Sequence, residues 1–183
     1  MLNTKDNPPI THPQDCSVKD FKGQWYVIHT RSRNEKKLAH DLIARDINYF
    51  LPMSWKIHYR NKRKFKSLLP LFTGYLFICG GETDRVNTLK TNRVANILTV
   101  PDQQKLVDQL GQIEYALNIG ADLKPENDIK TGQYCRVTSG PLKHLEGTVL
   151  TRKSQTRLVL RVEMLGQGAS VEVDRDVIEI IDK

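Results

Sequence analysis

The chain of 183 residues contains only three cysteines, at positions 16, 79 and 135. An odd number of distant cysteines, without a Cys-x-x-Cys pair, argues against a disulfide framework and against a zinc site. The five histidines are equally scattered and match no metal-ligand spacing. We therefore expect that Cys16, Cys79 and Cys135 are ordinary side chains and that the protein needs no metal and no cofactor.

Long hydrophobic runs are also absent, since no apolar stretch approaches the ~20 residues of a membrane-spanning helix. The first residues lack the apolar core of a signal peptide. The sequence contains no phosphate-binding glycine loop, dinucleotide-binding glycine motif, HExxH or GxSxG. These absences predict a cytoplasmic protein that does not engage a membrane and is not an enzyme.

Positive charge is abundant, and it is concentrated in one region. The net charge is +7, yet residues 21–66 hold 12 Lys or Arg against 3 Asp or Glu. Residues 56–66 alone contain six Lys or Arg and no Asp or Glu. A local excess of this kind favours an anionic partner such as nucleic acid, although a solvated face that only confers solubility remains the alternative.

The N-terminal part alternates strand and helix patterns. Residues 1–20, with three prolines, predict a disordered or loosely packed arm. Residues 25–30 are β-branched and aromatic, which indicates a strand. Ser32 and Glu35 then fit a capping box, in which each side chain accepts a hydrogen bond from the other residue's backbone N–H, at the start of an amphipathic helix.

Further along, the patterns predict the following elements: a strand at 48–53 interrupted by Pro52, a basic hairpin turning near Asn61, a strand at 71–78, a short helix capped by Thr83 or Asp84, a strand at 96–100, and a helix with Pro101 in its first turn. This mixed order predicts an α+β domain at 21–117. Periodicity lapses at 118–131, which predicts a linker. Five short strands separated by turn residues at 132–183 then predict a small β-barrel domain.

Particular motifs resemble a known family. Trp25-Tyr26-Val27, the basic helix and hairpin, and Phe72-Thr73-Gly74-Tyr75 resemble the NGN domain of NusG-family transcription elongation factors, with Thr73 where the family usually has Pro. Gly132, Val137, Gly140-Pro141, Gly147 and Val149 match the family's KOW domain. The segment Leu51-Pro52-Met53 and the compact hairpin are similar to an RfaH-like paralogue within the family.

The resemblance implies a sheet with helices packed on one face, linked to a five-stranded KOW barrel. It implies a transcription elongation or antitermination factor that binds the clamp helices of the largest RNA polymerase subunit and suppresses pausing or termination. The polymerase-binding residues implied are Val27, His29, Phe72, Tyr75, Phe77 and Thr88. Strand alternation places Tyr75 and Phe77 on one face, opposite Leu76 and Ile78. The expectation is an exposed apolar patch at Tyr75 and Phe77, and ordinary core packing is the alternative.

Upstream or non-template DNA is the second partner implied, with Tyr59 and Phe65 available to stack on unpaired bases. The candidate nucleic-acid-binding residues are Arg31, Arg33, Lys36, Lys37, Arg45, Lys62, Arg63, Lys64 and Lys66. In the KOW part, the family uses the region of Met164, Leu165 and Gln167 to meet Rho or a small-subunit ribosomal protein. Leu165 and Gln167 replace the usual Phe and Arg, so both partners stay open.

A different function class is the alternative, namely an RNA- or ribosome-binding KOW protein without a polymerase role. Residues 130–183 carry 9 basic and 7 acidic residues, and this small excess speaks against the barrel as the main nucleic-acid-binding domain. We expect a monomer whose KOW part is a stable barrel, because alternating β-branched residues with Gly and Pro at the turns oppose a helix.

Overall fold

The computed structural model describes residues 7–14, 16–60, 62–126, 132–152 and 155–181. The chain divides into two compact units, Met1–Val107 and Asp108–Lys183. The helices are α1 Glu35–Ile43, α2 Glu82–Leu89 and α3 Gln103–Asn118. The strands are β1 Thr11–His12, β2 Gln24–Thr30, β3 Asn48–Phe50, β4 Met53–Arg60, β5 Arg63–Pro70, β6 Tyr75–Gly80, β7 Val94–Thr99, β8 Lys124–Glu126, β9 Tyr134–Val137, β10 Glu146–Arg152, β11 Gln155–Val162, β12 Gln167–Glu172 and β13 Ile178–Ile180.

The N-terminal unit contains an antiparallel sheet with the strand order β1-β3-β6-β2-β7. Helix α1 packs on one face of this sheet, where Leu38 and Leu42 join Ile28, Leu76 and Ile78 in a buried apolar cluster. Burial of each such side chain stabilises the fold by about 1.5–3 kcal/mol. The predicted α+β architecture, with Leu76 and Ile78 facing the helix, is therefore confirmed.

The predicted capping box at the start of α1 is wrong. Asn34 occupies the N-cap position without a side-chain cap bond, and Glu35 is buried. The Oε1 atom of Glu35 accepts a hydrogen bond of 2.7 Å from the backbone N–H of Gly74. Glu35 thus accepts from Gly74, which is distant in sequence, rather than from the backbone N–H of Ser32, because the turn before β6 brings the Gly74 N–H to this carboxylate.

Other expectations also differ from the structure. Residues 71–74 form a turn, and the strand expected from 71 begins at Tyr75, with Gly74 at a φ of +84°. In the predicted loose arm, β1 pairs with β3 and Val18 is fully buried. The segment is therefore held in place by strand pairing and by the burial of Val18, neither of which its composition indicated. Residues 1–6 and 15 lie outside the described residues.

The C-terminal unit is an antiparallel sheet with the order β13-β9-β10-β11-β12-β8. The five predicted strands correspond to β9–β13, and β8 lies inside the segment predicted as a linker, whose residues 127–131 are outside the described part. A Cβ atom on Gly147 would lie 2.4 Å from the carbonyl oxygen of Val159. This close approach explains the glycine, while closure of the sheet into a barrel stays a prediction.

Candidate protein-docking and nucleic-acid surfaces

The sheet face opposite α1 carries a cluster of three phenylalanine rings. Phe77 lies 6.3 Å from Phe50 on the neighbouring strand and 6.1 Å, edge-on, from Phe72 in the turn before β6. All three side chains are buried, with Phe77 at 0% exposure. The expectation of an exposed Tyr75–Phe77 patch is therefore wrong for Phe77. Alternation does place the two side chains on one face, but Phe50 and Phe72 pack against Phe77.

An aromatic pair remains accessible at the end of the same face. His29 and Tyr75 are register partners on β2 and β6, and their rings stack at 5.0 Å with an interplanar angle of 23°. His29 is exposed and Tyr75 is half-buried. Gly74 lies beside the imidazole, where an added Cβ would be 3.6 Å from its Cδ2 atom. The glycine turn and the stacked pair therefore form one small, firmly positioned surface.

The other implied polymerase-binding residues point inward. Val27 and Thr88 are fully buried, and Phe72 is 1% exposed. The Oγ1 atom of Thr88 donates a hydrogen bond of 2.7 Å to the carbonyl of Asp84, one turn back in α2. These three side chains support the surface from within, and in this conformation they offer no contact area to a partner.

The basic hairpin is a separate two-stranded sheet made of β4 and β5, as predicted, while Asn61, where the turn was predicted, lies outside the described part. Trp55, Ile57 and Tyr59 alternate along β4, so they lie on one face. Their cross-strand partners are Leu68, Lys66 and Lys64 in turn. The ammonium of Lys66 lies 4.5 Å from the centroid of the Trp55 ring, a cation–π contact.

The opposite face of the hairpin has a different arrangement. His58 and Phe65 are register partners, and their rings stack at 5.8 Å. Phe65 therefore lies on the opposite face from Tyr59, although both were predicted from the sequence to stack on unpaired bases. Lys56 and Arg63 are exposed on this second face. The aromatic rings of the hairpin therefore lie on both faces. Trp55 and Tyr59, which have lysines next to or opposite them, share one face, and His58 and Phe65 share the other.

Lys36 does not belong to the exposed basic set. Its Nζ atom donates to the Oδ1 atom of Asn7 at 2.6 Å and to the carbonyl oxygen of Leu68 on β5. Burial lowers the pKa of Lys36, and the opposing effect of Glu35 is smaller. This lysine therefore ties α1 to the base of the hairpin. The remaining predicted cations are exposed: Arg31, Arg33, Lys37, Arg45, Lys62, Arg63, Lys64 and Lys66.

Sequence reasoning missed three of the residues that shape these surfaces. Trp55 and Ile57 were overlooked, although Trp55, Ile57 and Tyr59 follow one another at intervals of two residues in the sequence. Glu35 was assigned to a cap rather than to Gly74, and no sequence signal would have corrected that. In the C-terminal unit, the predicted partner residues Met164, Leu165 and Gln167 are half-buried around a 3₁₀ turn and the start of β12.

Within the described part of the chain, no group of three His, Cys, Asp or Glu side chains is placed to hold a metal ion. None of the helices described is both long enough and apolar enough to cross a membrane.

Known proteins are similar to this chain in sequence. Residues 23–110 match the family model described as transcription termination factor NusG. The transcription termination/antitermination proteins NusG of Borreliella burgdorferi and Rickettsia felis are 23% and 25% identical to the chain, each over 86% of it and over 98% and 90% of the relatives. A solved structure of Thermotoga maritima NusG, which concerns its domain interaction, aligns with a TM-score of 0.47 and 17% identity, over 88% of this chain and 98% of that one.

The family match gives residues 23–110 the character of a NusG-type N-terminal domain, the class that the sequence motifs had suggested. The chain is a distant homologue of NusG. Proteins of this family are transcription factors rather than enzymes, which confirms the expectation that the chain is not an enzyme.

Proposed function

We propose that this protein is a transcription termination/antitermination factor that docks on RNA polymerase through its N-terminal unit and suppresses pausing or termination. The observation that carries the proposal is the NusG match over residues 23–110, because that range contains both the His29–Tyr75 pair and the basic hairpin. We further propose that it acts as an RfaH-like cytoplasmic monomer.

Docking would use the His29–Tyr75 pair against the clamp helices of the largest polymerase subunit. The pair is accessible, and the buried phenylalanine cluster lies on the same sheet face. An aromatic side chain that becomes desolvated at the centre of an interface can contribute about 2 kcal/mol or more to binding. Its neighbours Val27 and Phe77 would then act indirectly, by holding β2 and β6 in place.

Contact with upstream or non-template DNA would use the exposed cations of the α1 region and of the hairpin. Arg31, Arg33, Lys37 and Arg45 supply the first group, and Lys62, Arg63, Lys64 and Lys66 supply the second. Each phosphate neutralised should steepen the log–log salt dependence of binding by about 0.9 for duplex and about 0.7 for single strands.

Co-purification with nuclease-treated RNA polymerase tests the docking step. His29→Ala combined with Tyr75→Ala should reduce the recovered polymerase at least about ten-fold, as expected for the loss of an aromatic anchor. Polymerase with deleted clamp helices should not bind the unchanged protein. Tyr115→Ala, which removes an exposed ring in the C-terminal unit, is the matched control and should bind normally.

Equal recovery of polymerase by the double variant would contradict the docking surface. Capture of ribosomes without polymerase would instead favour the RNA- or ribosome-binding alternative. The effect on transcription is then measured as the dwell time of polymerase at a defined pause site, which the protein should shorten and the double variant should leave unchanged.

The C-terminal unit would bind a second partner, a small-subunit ribosomal protein or Rho, through Met164, Leu165 and Gln167. The side chains are half-buried, and they cluster where the 3₁₀ turn leads into β12. Leu165→Ala with Gln167→Ala should abolish capture of either protein if this surface is used, and polymerase binding should be unaffected.

A further inference from the structure

We propose that one face of the β4–β5 hairpin is a stacking surface for single-stranded nucleic acid. This stacking face consists of Trp55, Ile57 and Tyr59 on β4 with Lys64 and Lys66 opposite them on β5. The inference rests on the nucleic-acid contact in the proposed function, and it goes further by naming the face, the rings and the strandedness of the ligand.

Exposure is the first observation behind this assignment. Trp55, Ile57 and Tyr59 are 46%, 49% and 72% exposed, although they are large apolar side chains in consecutive positions on one face. Single exposed apolar residues are ordinary on a protein surface, whereas a contiguous group marks an interaction site. The other tryptophan of the chain, Trp25, is 3% exposed and stacks on Phe21 at 5.6 Å.

Charge decides which class of partner fits. Residues 53–70 contain six Lys or Arg and no Asp or Glu. Within the face itself, Lys66 lies over the Trp55 ring and Lys64 lies opposite Tyr59. An apolar protein partner would have to desolvate these ammonium groups without compensation. A nucleic acid satisfies both features, because phosphates pair with the lysines and base faces stack on the rings.

The chemistry of the rings favours an unpaired strand over a duplex. A two-stranded β-ribbon can enter the major groove, but readers of base edges use Arg, Lys, Asn or Gln to match the hydrogen-bond pattern there. The β4 side chains on this face are Trp, Ile and Tyr, whose useful contact is with base faces. Residues four apart on a strand are separated by about 13 Å, so Trp55 and Tyr59 can take two bases only from a strand that is free to extend.

Titration of the full-length protein with single-stranded oligonucleotides tests the proposal without polymerase. A 12-nucleotide oligothymidine, an oligouridine of equal length and a 12-base-pair duplex are the three probes. Binding of either single strand should quench tryptophan fluorescence, because Trp55 is accessible and Trp25 is buried. The quench should persist in Trp25→Phe and disappear in Trp55→Leu. A preference between the two single strands identifies DNA or RNA as the source of the ligand.

Affinity is measured in parallel from the anisotropy of labelled oligonucleotides. Trp55→Leu and Tyr59→Leu keep apolar bulk but remove the ring, and each should weaken single-strand binding about ten-fold or more. Tyr59→Phe should retain binding. Lys64→Gln should lower the salt slope by about 0.7. Phe65→Leu, which alters a ring on the opposite face of the same hairpin, is the matched control and should bind as the unchanged protein does.

Duplex binding as tight as single-strand binding would overturn the proposal, as would unchanged affinity in both leucine variants. Loss of polymerase co-purification in Trp55→Leu with unchanged oligonucleotide binding would make the face a protein interface and would equally refute it. If polymerase docking fails while the oligonucleotide results hold, the proposed function is wrong and the stacking face stands. The two failures are therefore distinguishable.

Discussion

Two groups of aromatic side chains on strands of the N-terminal unit share a sequence pattern but differ in their surroundings. Phe77 on β6 packs against Phe50 and Phe72 and is fully buried. Trp55 and Tyr59 on β4 also alternate along a strand, yet both are exposed. Alternation determines which side chains share a face, but burial of that face depends on the neighbours that reach it.

The number of neighbouring strands accounts for much of this difference. Strand β6 lies in the middle of a five-stranded sheet and pairs with β3 and β2, whereas β4 and β5 pair with each other in a two-stranded sheet. A central strand receives rings from both sides, and Phe50 comes from β3 as the register partner of Phe77. A two-stranded ribbon receives fewer such neighbours, and an isolated hairpin is marginally stable in water.

The largest effect that separates the two groups is expected for stability. Phe77→Ala should lower the free energy of unfolding by about 3–5 kcal/mol, because it leaves a cavity under Phe50 and Phe72. Tyr59→Ala should change it by less than about 0.5 kcal/mol, since the ring is exposed. Urea unfolding followed by tryptophan fluorescence reports on this unit, which contains both tryptophans. Comparable losses in the two variants would show that the hairpin face is packed in solution.

The parts predicted well from sequence are those with local causes. The strand at β2, the basic hairpin and the alternation of Leu76 and Ile78 against Tyr75 and Phe77 follow from periodicity and charge. The buried state of Phe77 did not follow, because Phe72 is displaced from the expected strand into a turn by the chain reversal after Pro70. Likewise, Lys36 was predicted to contact nucleic acid. Its actual hydrogen-bond partners, Asn7 and Leu68, are 29 and 32 positions away, and no local sequence pattern reveals such distant contacts.

A second contrast between covered and open positions lies in the C-terminal unit. Gly147→Ala would place its Cβ atom 2.4 Å from the Val159 carbonyl oxygen, and relief requires movement of paired backbone. We expect a loss of about 2–3 kcal/mol from such overpacking. Gly140 has a φ of +80°, and a Cβ atom added there would meet open space within 4 Å. Gly140→Asn should cost less than about 1 kcal/mol, because Asn tolerates this conformation.

Calorimetry of the full chain measures both glycine variants, since the C-terminal unit contains no tryptophan. The larger shift in melting temperature is expected for Gly147→Ala. An equal shift in the two variants would contradict the prediction, because it would mean that the backbone around Gly147 relaxes to admit a Cβ atom at little cost.

A smaller contrast concerns the start of α1, where the buried Glu35 and the exposed Ser32 were both predicted to cap the helix. Glu35→Ala removes the acceptor of the Gly74 N–H and should cost about 1–3 kcal/mol. Ser32→Ala should be nearly neutral, since the capping box is not formed. Glu35→Gln retains an acceptor oxygen and should lose less than Glu35→Ala. Urea unfolding of the three variants checks this order, and a larger loss for Ser32→Ala would restore the local cap.

The smallest effect on stability is expected for the cysteine thiols, of which Cys79 and Cys135 are buried and Cys16 is exposed. Burial, with smaller effects from Asp84 on Cys79 and Glu146 on Cys135, raises the pKa of each buried thiol to about 11 from an ordinary 9.0. Cys16 is exposed. At pH 8, a thiolate-specific reagent should therefore modify Cys16 rapidly and the other two only after unfolding, because the thiolate is the nucleophile.

The same pKa shifts predict a change in stability at alkaline pH. A folded-state pKa above the unfolded value means that thiol burial contributes its full stability below about pH 9 and that this contribution is lost as the pH rises toward 11. Cys79→Ala with Cys135→Ala should flatten the decline in unfolding free energy between these pH values. Cys16→Ser, at the exposed position, should leave the decline unchanged. A decline equally steep in the double alanine variant would assign it to other groups, such as Tyr49 and Tyr134, whose pKa values burial also raises.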